Sequence, residues 1–301
     1  MKALVTGGNG FLGHYIVRHL LGREFDTVIF DQRKITNTEY EGITSASNLT
    51  YIQGDILDDA CLRDAMDGCS LVFHTAAIAD IDETRKIPTK TMEVNVLGTA
   101  KCLEAAQKCN VQRFLYASSV YTGGNWGSFY RVSKTAGELL VKAYEEEFGL
   151  EYSILKYGSL YGREANHWNF IYGICKSLLL EGEYTYRNSP DSVREYIHID
   201  DAARETVSIA LSPEYANKSV LITGHQRLKI KELFDTLEEI LGKKIHINYE
   251  TASPPRHYIR TPYSFEREVP MRVNLSHYID ISEGVLDCLK EVQKEIEQKK
   301  R

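Results

Sequence analysis

The residues best suited to catalysis are Tyr130 and Lys134, which stand four positions apart shortly after the pair Ser118-Ser119. On a helix, residues at this spacing share a face, so the Lys134 ammonium can lie beside the Tyr130 phenol and favour its anion. A phenol with a lowered pKa can take a proton from a sugar hydroxyl while hydride leaves the same carbon for a nicotinamide ring. The spacing therefore predicts a catalytic pair for hydride transfer, with a serine hydroxyl at the strand end holding the reacting oxygen.

The Tyr-x-x-x-Lys spacing is weak evidence by itself, because the chain holds 19 tyrosines and two further matches. The match at 152–156 falls in an apparent strand, where residues four apart lie about 13 Å from each other. The match at 172–176 follows the sixth strand, away from the expected position of the nicotinamide. The match at 130–134 alone combines a predicted helix with serines on the preceding strand, and it is the better candidate.

Three glycines near the start of the sequence, Gly7, Gly10 and Gly13, indicate a second kind of site. They follow an apolar run at 3–5 that is typical of a buried strand, and they open a helix predicted for 11–21. The N-terminus of such a helix offers free N–H groups and a partial positive charge, and glycine lets the backbone approach a dinucleotide pyrophosphate closely. A glycine-rich turn between a strand and a helix would show the same spacing, so the motif needs support from another residue.

Asp31 supplies that support because it ends a second apolar strand at 27–30. It follows Gly13 by 18 residues, close to the spacing of about 20 at which an acidic residue binds the adenosine ribose. Its carboxylate can accept hydrogen bonds from the ribose 2′-hydroxyl but would repel a 2′-phosphate. Arg33 and Lys34 lie close enough to oppose this preference. The sequence predicts NAD rather than NADP as the cofactor.

Strands alternate with helices through the first half of the chain, which predicts an α/β fold with a doubly wound parallel sheet of the Rossmann type. Helices are predicted at 11–21, 59–66, 91–109, 131–148, 170–180 and 230–241. Ligands of such sheets bind beyond the carboxyl ends of the strands, where the glycines, Asp31, Asp55 and the two serines all fall. After Gly162 the alternation weakens, and a smaller C-terminal α+β substrate domain is expected. The predicted NAD-binding domain is 1–162 with 194–222 returning to it, and the predicted smaller domain is 163–193 with 223–301.

The composition of the 301 residues is that of an ordinary globular protein, with 43% apolar and 26% charged residues. A net charge of −6 argues against a general nucleic-acid binder. No leader precedes the first strand and no apolar run is long enough to span a bilayer, so we expect a cytoplasmic protein without a membrane partner. No metal site is expected, because the six cysteines contain no Cys-x-x-Cys pair and are interpreted as buried thiols of a reducing compartment. His74 and His198 are interpreted as packed, hydrogen-bonded residues of the fold.

Seven short motifs lie along residues 1 to about 245 in a characteristic order, at 6–13, 54–55, 74–77, 95–99, 130–134, 157–162 and 194–201. Several are common individually, but their order and spacing are specific. Together they resemble the extended short-chain dehydrogenase/reductases, and in particular the NAD-dependent epimerase/dehydratases that act on nucleotide sugars.

The resemblance implies how the cofactor site is completed. Asp55-Ile56 would lie at the adenine, Ala76-Ala77 would line the site, and Asn95 would lie near the active-site helix. The predicted cofactor-binding residues are Gly7, Gly10, Phe11, Leu12, Gly13, Asp31, Asp55, Ile56, Ala76, Ala77, Asn95, Tyr130 and Lys134. A homodimer formed through the helices at 91–109 and 131–148 is expected by analogy with relatives.

The resemblance also names Ser119 as the catalytic hydroxyl and places Arg194 on the diphosphate of a nucleotide sugar. A guanidinium fork matches a pair of phosphates, although a surface salt bridge between Arg194 and Glu195 would explain the same residue. Ser118 and Ser159 are further candidates for binding the substrate, and Ser159 stands where many relatives have an asparagine.

Departures from the family pattern narrow the activity. Only ten residues separate Ser119 from Tyr130, about half the loop that is usual in the family, so the choice between Ser118 and Ser119 stays open. Dehydratases carry an Asp-Glu pair just after the catalytic hydroxyl. Here those places hold Val120-Tyr121, which disfavours elimination. The segment 254–265 also differs from the family and has no assignment.

With NAD held throughout the cycle, we expect a nucleotide-sugar epimerase of the UDP-sugar 4-epimerase kind. In this reaction C4 is oxidised, the keto sugar rotates and hydride returns to the other face. Two alternatives stay open. A net oxidoreductase, such as a 4-keto sugar reductase, would prefer NADPH and change the amount of free cofactor. A non-catalytic dinucleotide-sensing protein would keep the fold without turnover, and Tyr130, Lys134 and the strand-end serine count against it.

Overall fold

A large parallel sheet forms the centre of the molecule. The structure is a computed structural model that describes residues 1–34, 47–225, 227–250, 259 and 269–299. The strands of this part are β1 Lys2–Thr6, β2 Asp26–Asp31, β3 Leu49–Gln53, β4 Leu71–His74, β5 Arg113–Ser119, β6 Glu151–Tyr157, β7 Ser159–Tyr161, β8 Glu183–Tyr186, β9 Val193–His198, β10 Lys218–Ile222, β11 Arg227–Lys229, β12 His246–Tyr249 and β13 Met271–Arg272. Within the described residues, eight strands pair in parallel in the order β13-β10-β6-β5-β4-β1-β2-β3.

Helices cover both faces of this sheet, which confirms the predicted fold class. They are α1 Phe11–Leu21, α2 Asp59–Met66, α3 Ile81–Lys86, α4 Pro88–Met92, α5 Gly98–Lys108, α6 Ser128–Phe148, α7 Phe170–Leu180, α8 Ile199–Leu211, α9 Ile230–Leu241 and α10 Ile281–Lys299. Both faces of the first strand are buried, so its residues form one apolar run in the sequence. Ala3 and Val5 pack on one face of the sheet with α1 and α8, and Leu4 packs on the other face with α2 and α5.

The helix predicted for 91–109 begins earlier and is not uniform. Pro88 opens α4 at a position where its missing N–H costs nothing, and a π-helical turn, Glu93–Leu97, joins α4 to α5. Four other helices, α1, α2, α7 and α9, have the predicted bounds. A π-helical turn shifts the side chains after it around the helix axis, so the residues of this turn face partners that a regular helix would not give them.

The second half of the chain forms two small sheets, β11-β9-β7 and β12-β8, over which α7, α9 and α10 share a separate apolar core. The stripe of Val285, Leu289 and Val292 on α10 is buried in this core. Two strands from this half lie in the large sheet, because β10 pairs with β6 and β13 pairs with β10. The division into domains stays a prediction, and the segment 254–265 lies outside the described residues apart from Ile259.

Helix α8 packs along α1 and joins the second half of the chain to the first. His19 Nε2 lies 2.9 Å from Asp200 Oδ1, and Arg23 donates to Ser208 Oγ at 3.0 Å. At the other end of α8, the buried Arg113 of β5 donates to the carbonyl oxygens of Ile209, Ala210 and Ser212 at 3.1, 3.2 and 2.8 Å. A cation at the C-terminus of a helix satisfies its free carbonyls and its dipole, so α8 is held between the sheet and α1.

Candidate active site

A cleft of about 1020 Å³ runs along the carboxyl ends of the strands of the large sheet. Every predicted site residue except Asn95 lines it. These residues are Gly7, Gly10, Phe11, Leu12, Gly13, Asp31, Asp55, Ile56, Ala76, Ala77, Ser118, Ser119, Tyr130, Lys134, Ser159 and Arg194. The strand-end rule therefore brought residues from distant parts of the sequence to one surface.

The glycine loop at one end of the cleft fits a pyrophosphate. Gly7 has a φ of +71°, and a Cβ there would lie 2.7 Å from the backbone nitrogen of Ala76. A Cβ on Gly13 would overlap the carbonyl oxygen of Gly7. Gly10 caps α1 without a side chain, so the first N–H groups of the helix are left for a ligand. The loop thus has the close backbone and the free donors that a dinucleotide needs.

Asp31 lies at the end of β2, 9% exposed, with both carboxylate oxygens fixed by the backbone. Oδ2 accepts from the Asn9 N–H at 3.0 Å, and Oδ1 accepts from the Arg33 N–H at 2.9 Å. The guanidinium of Arg33 lies beside the same carboxylate, with Nε 3.7 Å from Oδ1. Each oxygen keeps a lone pair for a ribose hydroxyl, and the rigid carboxylate fits NAD as the sequence predicts.

Asp55 and Ile56 continue this wall beyond β3. Asp55 Oδ1 accepts from the Leu57 N–H at 2.9 Å, and Ile56 is 3% exposed and packs against the start of α5. The turn is therefore fixed by its own carboxylate, and it lines the cleft beyond β3.

Ser119, Tyr130 and Lys134 meet in the middle of the cleft. The side chains of Ser119 and Tyr130 are hydrogen-bond partners, and Ser119 Oγ also accepts from the Tyr121 N–H at 3.3 Å. The Lys134 ammonium lies 5.9 Å from the centre of the Tyr130 ring and donates to the Ala117 carbonyl at 2.7 Å. The predicted group of three is thus assembled from the end of β5 and the first turns of α6.

Burial dominates the ionisation of this group. It raises the pKa of Tyr130 to about 12, against the opposite effect of the Ser119 hydrogen bond, and it lowers the pKa of Lys134 to about 8. The expectation of a lowered Tyr130 pKa is wrong for this structure, because desolvation of the phenolate outweighs the neighbouring donor. Near neutral pH the phenol is protonated, and the lysine is mostly charged.

The structure separates the two serines that the sequence left open. Ser118 precedes Ser119 on β5 and directs its hydroxyl to the carboxylate of Glu138 on α6. Ser119, in contrast, is a hydrogen-bond partner of the Tyr130 phenol. Side chains alternate along a strand, so neighbouring serines cannot share a target, and the geometry supports Ser119 as the hydroxyl that holds a reacting oxygen.

Asn95 lies behind the wall of the cleft, 2% exposed, in the π-helical turn. Its Oδ1 accepts from the Ile78 N–H at 2.8 Å, and its Nδ2 donates to the Ile78 carbonyl at 2.9 Å and to Ser133 Oγ at 3.0 Å. Ser133 in turn donates to the Tyr130 carbonyl at 2.8 Å. Asn95 therefore fixes the loop after β4 and the start of α6. It supports the cleft indirectly, through these two segments.

His74 is held as a neutral ring. Its Nδ1 lies 2.8 Å from Thr6 Oγ1, and its Nε2 lies 2.9 Å from Thr99 Oγ1. Burial lowers the pKa of His74 to about 3. His198 accepts from the Asp200 N–H at 3.3 Å and so caps α8, and burial lowers its pKa as well. Both rings are hydrogen-bonded parts of the fold, in agreement with the interpretation of the sequence.

Arg194, on β9, is 8% exposed and lines the far end of the cleft. Its Nη1 donates to the Val193 carbonyl at 3.0 Å. Glu195, the next residue, binds Arg227 at 2.8 Å and Arg272 at 3.4 Å. Consecutive side chains of a strand point to opposite faces, which favours a role for Arg194 in the cleft over a surface pair with Glu195.

Sequence reasoning missed part of the lining of the cleft. The missed residues lie on loops, on helices and on the small sheets, and they include Asp80, Asp82, Glu83, Tyr121, Asn166, His167, Trp168, Phe170, Tyr184, Tyr186, Arg187 and Asn188. Strand-end reasoning applies to the large sheet only, so it gave no signal for segments that leave it. The sequence shows the aromatic residues of 184–186 and 166–170, but it does not show that they face the cleft.

The cysteines and the acidic residues form no metal centre in the part of the chain that is described. All six cysteines are free thiols, and four of them, Cys69, Cys102, Cys175 and Cys288, are buried, whereas Cys61 and Cys109 are partly exposed. Burial raises the pKa of Cys288 to about 12, so this thiol stays protonated. Among the described helices, none combines the length and apolar content needed to cross a bilayer.

Comparison with known proteins identifies relatives along most of the chain. A putative UDP-glucose 4-epimerase of Methanocaldococcus jannaschii is 26% identical over 257 residues, which cover 79% of this chain and 82% of that protein. A dTDP-glucose 4,6-dehydratase of Streptomyces antibioticus is 30% identical over 220 residues, which cover 67% of this chain and 66% of that protein. The crystal structure of UDP-glucuronic acid 4-epimerase from Bacillus cereus, in complex with UDP-glucuronic acid and NAD, matches with a TM-score of 0.83 at 22% identity, covering 98% of this chain and 99% of that one. This last similarity shows a shared fold.

The sequence profile of the NAD dependent epimerase/dehydratase family matches residues 3–222. This range contains the glycine loop, Asp31 and the group formed by Ser119, Tyr130 and Lys134. The family consists of enzymes that depend on NAD, so the predictions of an enzyme and of NAD as its cofactor are confirmed. The chain therefore belongs to the NAD dependent epimerase/dehydratase family, as the resemblance of its motifs implied.

Proposed function

We propose that this enzyme is a nucleotide-sugar 4-epimerase that keeps NAD bound through its catalytic cycle. The observation that carries the proposal is the position of Ser119, Tyr130 and Lys134 between the glycine loop and Arg194, in one continuous cleft. A sugar whose diphosphate reached Arg194 would lie at the middle of the cleft, beside the Tyr130 phenol.

The three residues divide the chemistry among them. Ser119 positions the C4 oxygen of the sugar by hydrogen bonding. Tyr130, after loss of its own proton, takes the proton of the C4 hydroxyl and returns it later. The positive charges of Lys134 and of bound NAD would offset the burial that keeps the phenol protonated in the free enzyme. Lys134 holds a positive charge beside the phenolate. NAD, when bound, supplies a reversible hydride acceptor and a positive charge near the phenol. The C4 hydroxyl would lose its proton to Tyr130 and C4 would lose its hydride to the bound cofactor. Both would return after the keto sugar has rotated, so the cycle consumes no net oxidant.

The far end of the cleft supports a nucleoside diphosphate as the carrier. The guanidinium of Arg194 matches a pair of phosphates. Beyond it, Phe170 lies 6.2 Å from Tyr184 and 5.6 Å from Tyr186 between ring centres, which provides flat apolar surface for a base. The Bacillus cereus relative binds UDP-glucuronic acid and NAD, in agreement with this proposal.

A 4,6-dehydratase is the neighbouring activity to test, because the Streptomyces relative has that name. Elimination needs an acid and a base beside the sugar, and the two positions after Ser119 hold the buried Val120 and the ring of Tyr121. Carboxylates of Asp80, Asp82 and Glu83 also line the cleft. Asp80 accepts from the Asp82 N–H at 2.9 Å to cap α3, which gives it a structural role. The two residues that follow Ser119 therefore favour epimerisation over elimination.

The decisive experiment identifies the nucleotide released from denatured protein and then follows UDP-, dTDP- and GDP-sugars with native enzyme. We expect released NAD, inversion at C4 detected by NMR of the sugar, and no net change at the absorbance of reduced nicotinamide. Steady consumption of added NADPH would make the enzyme a reductase. A 4-keto-6-deoxy sugar as product would make it a dehydratase, and either result would refute the proposal.

We also propose that the enzyme is a homodimer joined through α5, α6 and the turn between α4 and α5. Leu97, Val132 and Leu139 on these helices are 49%, 47% and 64% exposed, which is unusual for three large apolar side chains on neighbouring helices. Light scattering after gel filtration should give twice the mass of 34.3 kDa. Leu139→Glu should give the monomer mass, and a wild-type monomer would contradict the proposal.

A further inference from the structure

A buried carboxylate, Glu138, lies one helical turn beyond Lys134 on α6 and faces the ends of β5 and β6. Its side chain is 12% exposed. One carboxylate oxygen accepts from the Ser118 hydroxyl, and the other lies 3.4 Å from Lys156 Nζ. Ser118 and Lys156 are direct partners in the β5-β6 ladder, so the carboxylate spans two adjacent strands. A hydroxyl donor and an ammonium thus hold the two oxygens of the carboxylate in place.

Lys134 shares a helix face with Glu138, since the two residues are four apart. It is 4% exposed, and burial of its ammonium disfavours the charge that the catalytic pair requires. Glu138 acts in the opposite direction and favours the ammonium. The carboxylate thus pairs directly with the buried Lys156 of β6 and lies one helical turn from the buried Lys134, on which it acts through its charge.

The other groups that face Lys134 give it little compensation. Tyr130 is a protonated phenol, and Tyr116 of β5 lies with its ring 5.1 Å from Lys134 Nζ, its pKa raised by burial. His74 of β4 is neutral, because burial and the Lys134 charge both lower its pKa. Ala117 offers a carbonyl dipole only. Among these neighbours, Glu138 carries the full negative charge.

We propose that Glu138 is a positioning residue that keeps Lys134 charged beside Tyr130, with Lys156 competing for the same carboxylate. The proposal rests on the proposed function only in giving Lys134 a catalytic role. The proposal concerns the charges of three buried groups, Lys134, Glu138 and Lys156. A salt bridge between Glu138 and Lys156 with a structural role only would leave the charge of Lys134 unaffected.

This balance predicts opposite effects for the two partners of one ion pair. Glu138→Gln keeps the shape of the side chain and an acceptor for Ser118 but removes the charge, so Lys134 should lose its proton at lower pH. Lys156→Gln removes the competing cation, so Lys134 should keep its proton to higher pH. Loss of packing alone would move both variants in the same direction.

The test measures the Lys134 titration directly in the full-length enzyme. Lysine labelled with ¹³C at Cε is incorporated, the Lys134 resonance is identified by its absence in Lys134→Arg, and its chemical shift is followed against pH. We expect the midpoint to fall by about one pH unit or more in Glu138→Gln and to rise in Lys156→Gln. Glu104→Gln, which removes the acid of the exposed Glu104–Lys108 pair on α5, is the matched control and should leave the midpoint unchanged.

The pH dependence of kcat separates this proposal from the proposed function. If Lys134 is catalytic, the alkaline limb of kcat should follow the shifted midpoint in both variants. Unchanged midpoints, or midpoints that shift in the same direction, would overturn the role of Glu138. If Glu138→Gln fails to fold, the upward shift in Lys156→Gln alone decides. If the midpoints shift as expected but the pH dependence of kcat does not change, the charge balance is supported and the catalytic assignment of Lys134 is refuted.

Discussion

Replacing Tyr130 by phenylalanine tests the centre of the proposed mechanism. The variant loses the phenol hydroxyl that is hydrogen-bonded to Ser119 but keeps the ring, which packs edge-on against Tyr121 with 6.3 Å between ring centres. Removal of a general base lowers turnover by about 10²- to 10⁴-fold, or about 3–5 kcal/mol of barrier. The fold loses one hydroxyl hydrogen bond, so the free energy of unfolding should change by about 1 kcal/mol or less.

Tyr172→Phe is the matched control for this variant. Tyr172 also lies four residues before a lysine on a helix, with Lys176 Nζ 5.7 Å from its ring centre, close to the 5.9 Å between Lys134 Nζ and the Tyr130 ring. Its hydroxyl donates to Glu295 at 2.7 Å, in the core of the second half of the chain. The control should therefore lose about 0.5–1.5 kcal/mol of stability and keep its turnover.

The assay is C4 inversion of the nucleotide sugar accepted by the wild type, with NAD affinity measured in parallel by quenching of intrinsic fluorescence. We expect Tyr130→Phe to bind NAD as the wild type does and to invert the sugar at least about 100-fold more slowly. Wild-type turnover in Tyr130→Phe would refute the reasoning, because another group would then have to take the proton of the C4 hydroxyl. A loss of turnover confined to Tyr172→Phe would transfer the role to the second helical pair.

Four further predictions address the cofactor, the pH dependence, the glycine loop and helix α7. Asp31→Ala should relax the preference for NAD over NADP, measured as the ratio of the two Kd values, because it removes the carboxylate that repels a 2′-phosphate; an unchanged ratio would assign the preference to other residues. The kcat of the wild type should fall as pH rises through about 8, where Lys134 loses the charge that it holds at lower pH, and a flat profile up to pH 10 would contradict this. Gly13→Ala should destabilise the fold and abolish NAD binding, because the added Cβ overlaps the Gly7 carbonyl. Gly173→Ala on α7, whose Cβ would meet no atom within 4 Å, should instead raise the free energy of unfolding in urea by about 0.5–1 kcal/mol.

The sequence was sufficient for the large sheet and for the residues at its strand ends. Periodicity placed α1 and α2 with their observed bounds, and the rule that ligands bind at carboxyl ends brought Asp31 and Ser119 to the same cleft. These inferences worked because they depend on local pattern and on the handedness of parallel sheets, which hold whatever the remaining side chains do.

The inferences that failed depend on three-dimensional surroundings. The raised pKa of Tyr130 arises from burial, which the order of residues does not reveal. The π-helical turn arises from a change of hydrogen bonding inside an otherwise regular apolar pattern, so the sequence predicted one uniform helix and left Asn95 among the cofactor contacts. The wall around Tyr184 and Tyr186 is built by the small sheets, whose placement over the cleft is a matter of long-range packing.

The position of α8 links the affinity for the cofactor to a part of the chain that lies outside the glycine loop. This helix touches α1 through Asp200 and Ser208, and its C-terminal carbonyls are tied to the sheet by Arg113. The orientation of α1 fixes where its first N–H groups point. A bound pyrophosphate would accept hydrogen bonds from these groups. Displacing α8 therefore shifts the free energy of dinucleotide binding without altering any residue of the cleft, and by reciprocity the bound dinucleotide stabilises the docking of a segment nearly 200 residues further along the sequence.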